Sequence, residues 1–130
     1  MARYTLRNLK EVEDSALKFG FAPALESRFA SSELELEHSG VSYQRLAPNA
    51  RIPFGHRHTE QEEIYLLVSG GGRMKLDDEV VELRQWDAIR VSADTTRNFE
   101  AGHEGAELIA FGAPGPNPAD AEMLPGWWLD

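Results

Sequence analysis

The sequence predicts an all-β fold, a β-sandwich or barrel, and three observations carry that expectation. From Val41 onward, short apolar stretches recur at near-regular spacing with turn-forming residues between them. The run Glu63-Ile64-Tyr65-Leu66-Leu67-Val68 has the β-branched and aromatic content of a strand and is closed by Ser69-Gly70-Gly71-Gly72. Arg73–Leu76 and Val80–Leu83 flank Asp77-Asp78-Glu79 as a hairpin.

Taken in order, residues 1–40 read as an arm to a single domain. Asn8 with Glu11 three residues on is a capping-box-like start, and Leu9, Val12, Ala16 and Phe19 recur at helical spacing until Gly20. Pro23 opens a second short turn through Arg28 and Phe29. Residues 41–111 read as the barrel, with strands at Val41–Ala47, Glu63–Val68, Ala88–Val91, Thr95–Glu100 and Ala106–Phe111 besides the hairpin. Pro48-Asn49 turns after the first strand. The glycine triplet joins two strands and precedes no helix, so it reads as a turn rather than a phosphate loop.

Residues 112–130 form a tail whose Pro114, Pro116, Pro118 and Pro125 predict an extended, irregular course. It ends in Trp127-Trp128, and paired tryptophans predict docking on the barrel or on a partner. The strand from Glu63 to Val68 is apolar on both faces, which predicts that both are covered. The outer face falls either to the arm or to a second copy of the chain, and a homodimer is the favoured expectation.

Composition narrows the function. The 130 residues carry a formal charge of −9 and no cysteine. An acidic chain is a poor partner for a phosphate backbone or an anionic membrane, so neither nucleic acid nor membrane is expected; the acidity reads as a solubility feature. Without thiols there are no disulfides, and any metal falls to imidazole and carboxylate. Met1 to Arg7 lacks the apolar core of a signal peptide, so the expected location is the cytoplasm.

The chemistry concentrates in Gly55-His56-Arg57-His58-Thr59-Glu60-Gln61-Glu62-Glu63. Two histidines two residues apart on an extended segment project from one face, with Cα atoms roughly 6.5–7 Å apart. Both imidazoles can then reach one metal ion, and a nearby carboxylate completes a set of two His and one carboxylate. Glu63 fits the spacing better than Glu62. His56 and His58 also read as ordinary loop residues after Pro53-Phe54-Gly55, against which the full spacing argues.

The stretch His56-x-His58-x4-Glu63-x6-Gly70 resembles the first metal motif of the cupin superfamily. The hairpin and Trp86-Asp87-Ala88-Ile89-Arg90-Val91 also look like a small single-domain cupin. The resemblance covers about residues 41–111. It implies a double-stranded β-helix (cupin, jelly-roll) barrel with a partly helical N-terminal arm, and a mouth holding a divalent metal on two His, one Glu and a further His.

The family's second motif is altered. Trp86, Ser92 and Asp94 stand where the resemblance expects Gly, Pro and Gly, and Arg97 stands where it expects the last His. His38 lies before the barrel and His103 in a turn, so neither is an easy substitute. Arginine has no lone pair to give a metal and does not lose its proton at ordinary pH. Arg97 therefore admits three readings: beside a three-ligand metal it meets an anionic group; it pairs with Glu63 or Glu62 in place of a metal; or it points elsewhere.

Two functions follow as expectations. In the first, His56, His58 and Glu63 hold Fe, Mn, Ni or Zn, and the protein acts on a small anionic organic molecule by oxygenation, isomerisation or decarboxylation. Arg97 orients that molecule, and Tyr65 is a cavity hydrogen-bond donor. In the second, the barrel binds or senses a small molecule without metal or catalysis, and Arg97 pairs with Glu63. Tyr43 is a further cavity candidate, with a core role the simpler reading.

Overall fold

The computed structural model describes residues 3–113 and 120–129. Among these, eight strands form one curled antiparallel sheet: β1 (Leu25–Phe29), β2 (Gly40–Leu46), β3 (Phe54–His58), β4 (Glu62–Leu76), β5 (Glu79–Arg84), β6 (Ala88–Val91), β7 (Arg97–Ala113) and β8 (Ala121–Pro125). The long strand β7 is the spine. It pairs with β2 along one edge and with β4 along the other, and its first residue, Arg97, stands opposite His56 of β3. β4 also pairs with β5 and β6. Inward residues of these strands, among them Leu46, Leu67, Met74, Val91, Phe99 and Leu108, form the core.

Several expectations need correction. Gly70-Gly71-Gly72 does not turn the chain; β4 runs through it, with shifts in register against β7 between Leu67 and Ser69 and between Gly70 and Gly72. Gly70 and Gly72 are there because the two backbones nearly touch. A Cβ on Gly70 would lie 2.0 Å from the carbonyl oxygen of Gly105, and one on Gly72 would lie 2.3 Å from that of Glu100. A bent, bulged strand of this kind needs residues without side chains. For the same reason the strands expected at Thr95–Glu100 and Ala106–Phe111 are one strand, β7, and His103 lies within it rather than in a turn.

The arm is less helical than its spacing predicts. Asn8 does accept from the backbone of Lys10, but the turn it opens, Leu9–Glu11, is a short 3-10 helix. Asp14 opens a separate turn, α1 (Ser15–Lys18), and the same Asp14 Oδ1 takes the N–H of Ser27 on β1. That tie draws the arm onto the sheet. Residues 25–29, expected as a second turn, are strand β1, paired in register with β2.

In the tail, Ala121–Pro125 is strand β8, antiparallel to β3, where an irregular course was expected. Pro114, Pro116 and Pro118 lie outside the described residues. Trp128 is 4% exposed, with the guanidinium of Arg51 stacked 4.3 Å from its ring centre. Trp86, where the resemblance expects Gly, adopts a left-handed φ of 76°, a conformation that costs a residue with a side chain free energy. The outer apolar face of β4 and β7 is only partly covered in the single chain. Ile64 and Phe111, opposite each other in register, are 41% and 42% exposed.

Candidate metal centre and ligand cavity

The site is assembled by strand parity and register. On β3 the two-residue period turns His56 and His58 the same way, with ring centres 5.1 Å apart and the planes perpendicular. On β4 the same period brings Glu63 and Tyr65 to the inner face, and Glu62 turns outward to Arg90 at 3.4 Å. Arg97 arrives from β7, opposite His56. One ligand atom each from His56, His58 and Glu63 lie within 4.8 Å of one another.

Glu63 Oε1 is the hub. Tyr65 donates its hydroxyl to it at 2.6 Å and Arg97 Nη2 donates at 2.9 Å. The Nε2 atoms of His56 and His58 lie 3.3 and 3.2 Å from the same oxygen. Burial alone would raise the Glu63 pKa, but the close polar groups of His56, His58 and Tyr65 outweigh it and hold the carboxyl well below the usual range. His56 is pushed the other way: burial lowers its pKa beyond what Glu63 restores, which favours the neutral imidazole that a metal requires. Burial and the Glu63 charge push the Tyr65 phenol up, so it stays a donor.

Arg97 is 1% exposed and almost fully engaged. Nε donates to the Tyr65 hydroxyl at 3.2 Å, Nη1 to the carbonyls of Ala93 and Thr95 at 3.2 and 2.6 Å, and Nη2 to Glu63. Of the five N–H donors of a guanidinium, one on Nη2 remains among these contacts.

His58 is the incomplete member. Both of its ring nitrogens are buried without a hydrogen-bond partner among the described residues. Such orphaned atoms cost about 1–3 kcal/mol each, and a divalent ion bound at Nε2 would remove part of that cost. The spacing agrees: ligands about 2.0–2.2 Å from one ion stand roughly 3.0–3.6 Å from each other, which brackets the two separations from Glu63 Oε1. The residues present fit a metal.

Sequence reasoning missed Asp120. It accepts from the backbone N–H groups of Thr59, Glu60 and Gln61 and from the Thr59 hydroxyl, and its Oδ2 lies 3.6 Å from His58 Nδ1. The Thr59 hydroxyl leads in holding its pKa at about 2, with those backbone donors overcoming burial. Asp120 thus clamps the turn between β3 and β4. Some 60 residues separate it from that turn, and no local pattern in the tail marks it. Tyr43 does not line the cavity; it lies under Lys10 with its hydroxyl on Glu107. His38 and His103 are exposed on the surface.

Above this floor opens a cavity of about 1190 Å³, bordered by β2, β3, β4, β7 and the arm. No helix among the described residues is long and apolar enough to cross a membrane.

Comparison with known proteins agrees with this architecture. Residues 42–112 match the sequence profile of the cupin domain. The uncharacterized protein MJ1618 of Methanocaldococcus jannaschii is 32% identical over 93 residues, covering 67% of this chain and 73% of the relative. A cupin protein from Bacteroides fragilis, BF4112, superposes with a TM-score of 0.69 at 22% identity, over 100% of this chain and 91% of its own. A tryptophan-to-phenylalanine variant of oxalate decarboxylase from B. subtilis superposes with a TM-score of 0.78 at 17% identity, over 95% of this chain and 34% of its own.

Proposed function

This chain belongs to the cupin family, and from that premise we propose that it binds a divalent metal through His56, His58 and Glu63 and acts on a small anionic organic molecule. The observation that carries the reading is His58, buried with neither ring nitrogen paired and 3.2 Å from Glu63 Oε1. Fe, Mn, Ni and Zn all suit the donor set. Such an ion polarises a ligand oxygen or acidifies a bound water, chemistry compatible with oxygenation, isomerisation or decarboxylation. Oxalate decarboxylase, similar in fold, supports an acid as the ligand class.

The chain's own groups divide the remaining work. Arg97 and Tyr65 hold Glu63 by one oxygen and keep it a carboxylate. In this reading the last Nη2 hydrogen of Arg97 meets an anionic ligand at the cavity floor. With one Glu against Arg97, a dication leaves the floor net positive, which favours an anion. The exposed pair Ile64 and Phe111 supports a homodimer through the outer face of β4 and β7, and light scattering giving a mass near 14.5 kDa would refute it.

The test is elemental analysis of protein purified without a histidine tag, beside a His56→Ala/His58→Ala variant. Near-stoichiometric metal that vanishes in the variant is the expected result. No metal in either sample, even after reconstitution, would overturn it. That outcome favours the second reading, a metal-free binding or sensing barrel, whose support is the buried Arg97–Glu63 pair at 2.9 Å.

A further inference from the structure

The floor occupies only one end of the cavity, and the rest is built for something else. At about 1190 Å³ the cavity exceeds the roughly 300–1,000 Å³ of ordinary small-molecule sites. Its deep wall is apolar, with Met74, Phe99 and Leu108 all buried. Some of its polar wall groups are turned to the protein: Ser42 Oγ accepts from Gln44 Nε2, Ser31 Oγ accepts from the backbone of Val41, and Asn98 bonds the backbone of Ile52 and Phe99. Apolar residues supply the larger part of the lining, which matches an apolar ligand better than one with many hydroxyls.

The mouth is more telling. Phe19 and Phe29 from the arm, Phe54 from β3 and Met123 from β8 all line the cavity. The exposure of Phe19, Phe29 and Met123 puts them on its open side, as an apolar collar drawn from separate parts of the chain. Phe29 and Met123 are 56% and 55% exposed even though they line the cavity. Grouped, exposed apolar side chains of this kind mark a surface that a ligand or partner covers. The collar leads down to a charged floor, which fixes the order of polarity along the ligand.

We infer that the ligand is an amphiphilic monoacid, with one anionic head at the floor and an extended apolar body reaching the collar. The head rests on the metal-and-anion reading above, whereas the body is argued from the walls and the mouth alone.

Isothermal titration of the metal-loaded full chain tests this with four probes: decanoate, acetate, glucuronate and decanol. Each buried methylene strengthens binding by about fourfold, so decanoate should bind at least about 100-fold more tightly than acetate. It should also outbind glucuronate, an acid with a polar body. Phe29→Ser/Met123→Ser alters two half-exposed side chains, so the variant should fold; it should weaken decanoate about tenfold or more. Acetate or glucuronate matching decanoate would overturn the inference, as would decanoate binding indifferent to the two substitutions. Decanol matching decanoate would support the apolar body and sink the anionic head. An unchanged decanoate affinity after metal removal would separate the body from the metal in the same way.

Discussion

Two glutamates organise two ion clusters in this molecule, and they end in opposite conditions. Glu100 is saturated: Arg73 Nε donates to one oxygen and Arg51 Nε to the other, each at 2.8 Å, and Arg51 reaches on to the carbonyl of Trp128. Trp128 lies under both guanidinium groups. Everything that cluster needs is in the chain, and its product is a docked tail. Glu63 has one arginine, one tyrosine and two histidines crowded on a single oxygen, and one of those imidazoles, His58, has both ring nitrogens buried without a hydrogen-bond partner among the described residues. A complete cluster is a fastener; an incomplete one at a cavity floor is a place for a ligand.

The largest effect is expected from Glu63→Gln in metal-free protein. It leaves Arg97 buried without its counter-ion, and urea denaturation should show a loss of about 3–5 kcal/mol. A loss under about 1 kcal/mol would mean that Arg97 reaches water and that the floor is not a closed ion pair. Trp128→Ala should cost about 3 kcal/mol by the same assay, since it empties a buried site and removes the ring beneath both arginines. If it costs nothing measurable, the tail is not held by the Glu100 cluster.

Asp120→Ala tests whether the clamp behind His58 orients it. Metal affinity should fall about 10–100-fold, as for other partners of metal-bound histidines, with part of the loss recovered in Asp120→Asn. Equal metal affinity in a variant that folds would assign Asp120 to the turn alone. Glu100→Gln should cost only about 1 kcal/mol, because its arginines remain partly in water.

The smallest effect belongs to a third carboxylate. Burial opposes the charge on Glu26, but the hydrogen bonds from Arg45 and Arg28 lower its pKa. A depressed folded pKa contributes stability that is present above the ordinary glutamate value and lost as pH falls through the folded one. Wild type should therefore exceed Glu26→Gln by less than about 1 kcal/mol at neutral pH. Thermal melts should show that margin closing as the solution is acidified below the ordinary glutamate range. A margin that widens with acid would reverse the assignment.

Much of the fold was legible because strand signals are local. The Asp77-Asp78 hairpin and strand β6 lie close to where residue type and turn chemistry put them. Helical spacing from Leu9 to Phe19 says nothing of Asp14, whose carboxylate caps a separate short turn and binds Ser27 of β1 at the same time, so the arm is less helical than its spacing suggests. The glycine triplet is ambiguous in sequence because a turn and a close strand crossing ask for the same residue. β8 gave no signal strong enough to stand out in a proline-rich tail, and it exists through pairing with β3.

By itself, the sequence determined that His56, His58 and Glu63 form one candidate donor set, and that a cation stands where the family places a fourth ligand. Those facts follow from a two-residue side-chain period and a motif spacing, both local properties of the chain. Only the tertiary structure decided what the cation does. Arg97 meets Glu63 across 34 residues because β7 places it opposite His56, and Asp120 meets the 59–61 turn because β8 runs beside β3. The apolar collar is likewise a product of folding, since its residues come from the arm, β3 and β8. Register between distant strands depends on every bulge and close approach along the way, so no window of sequence contains it.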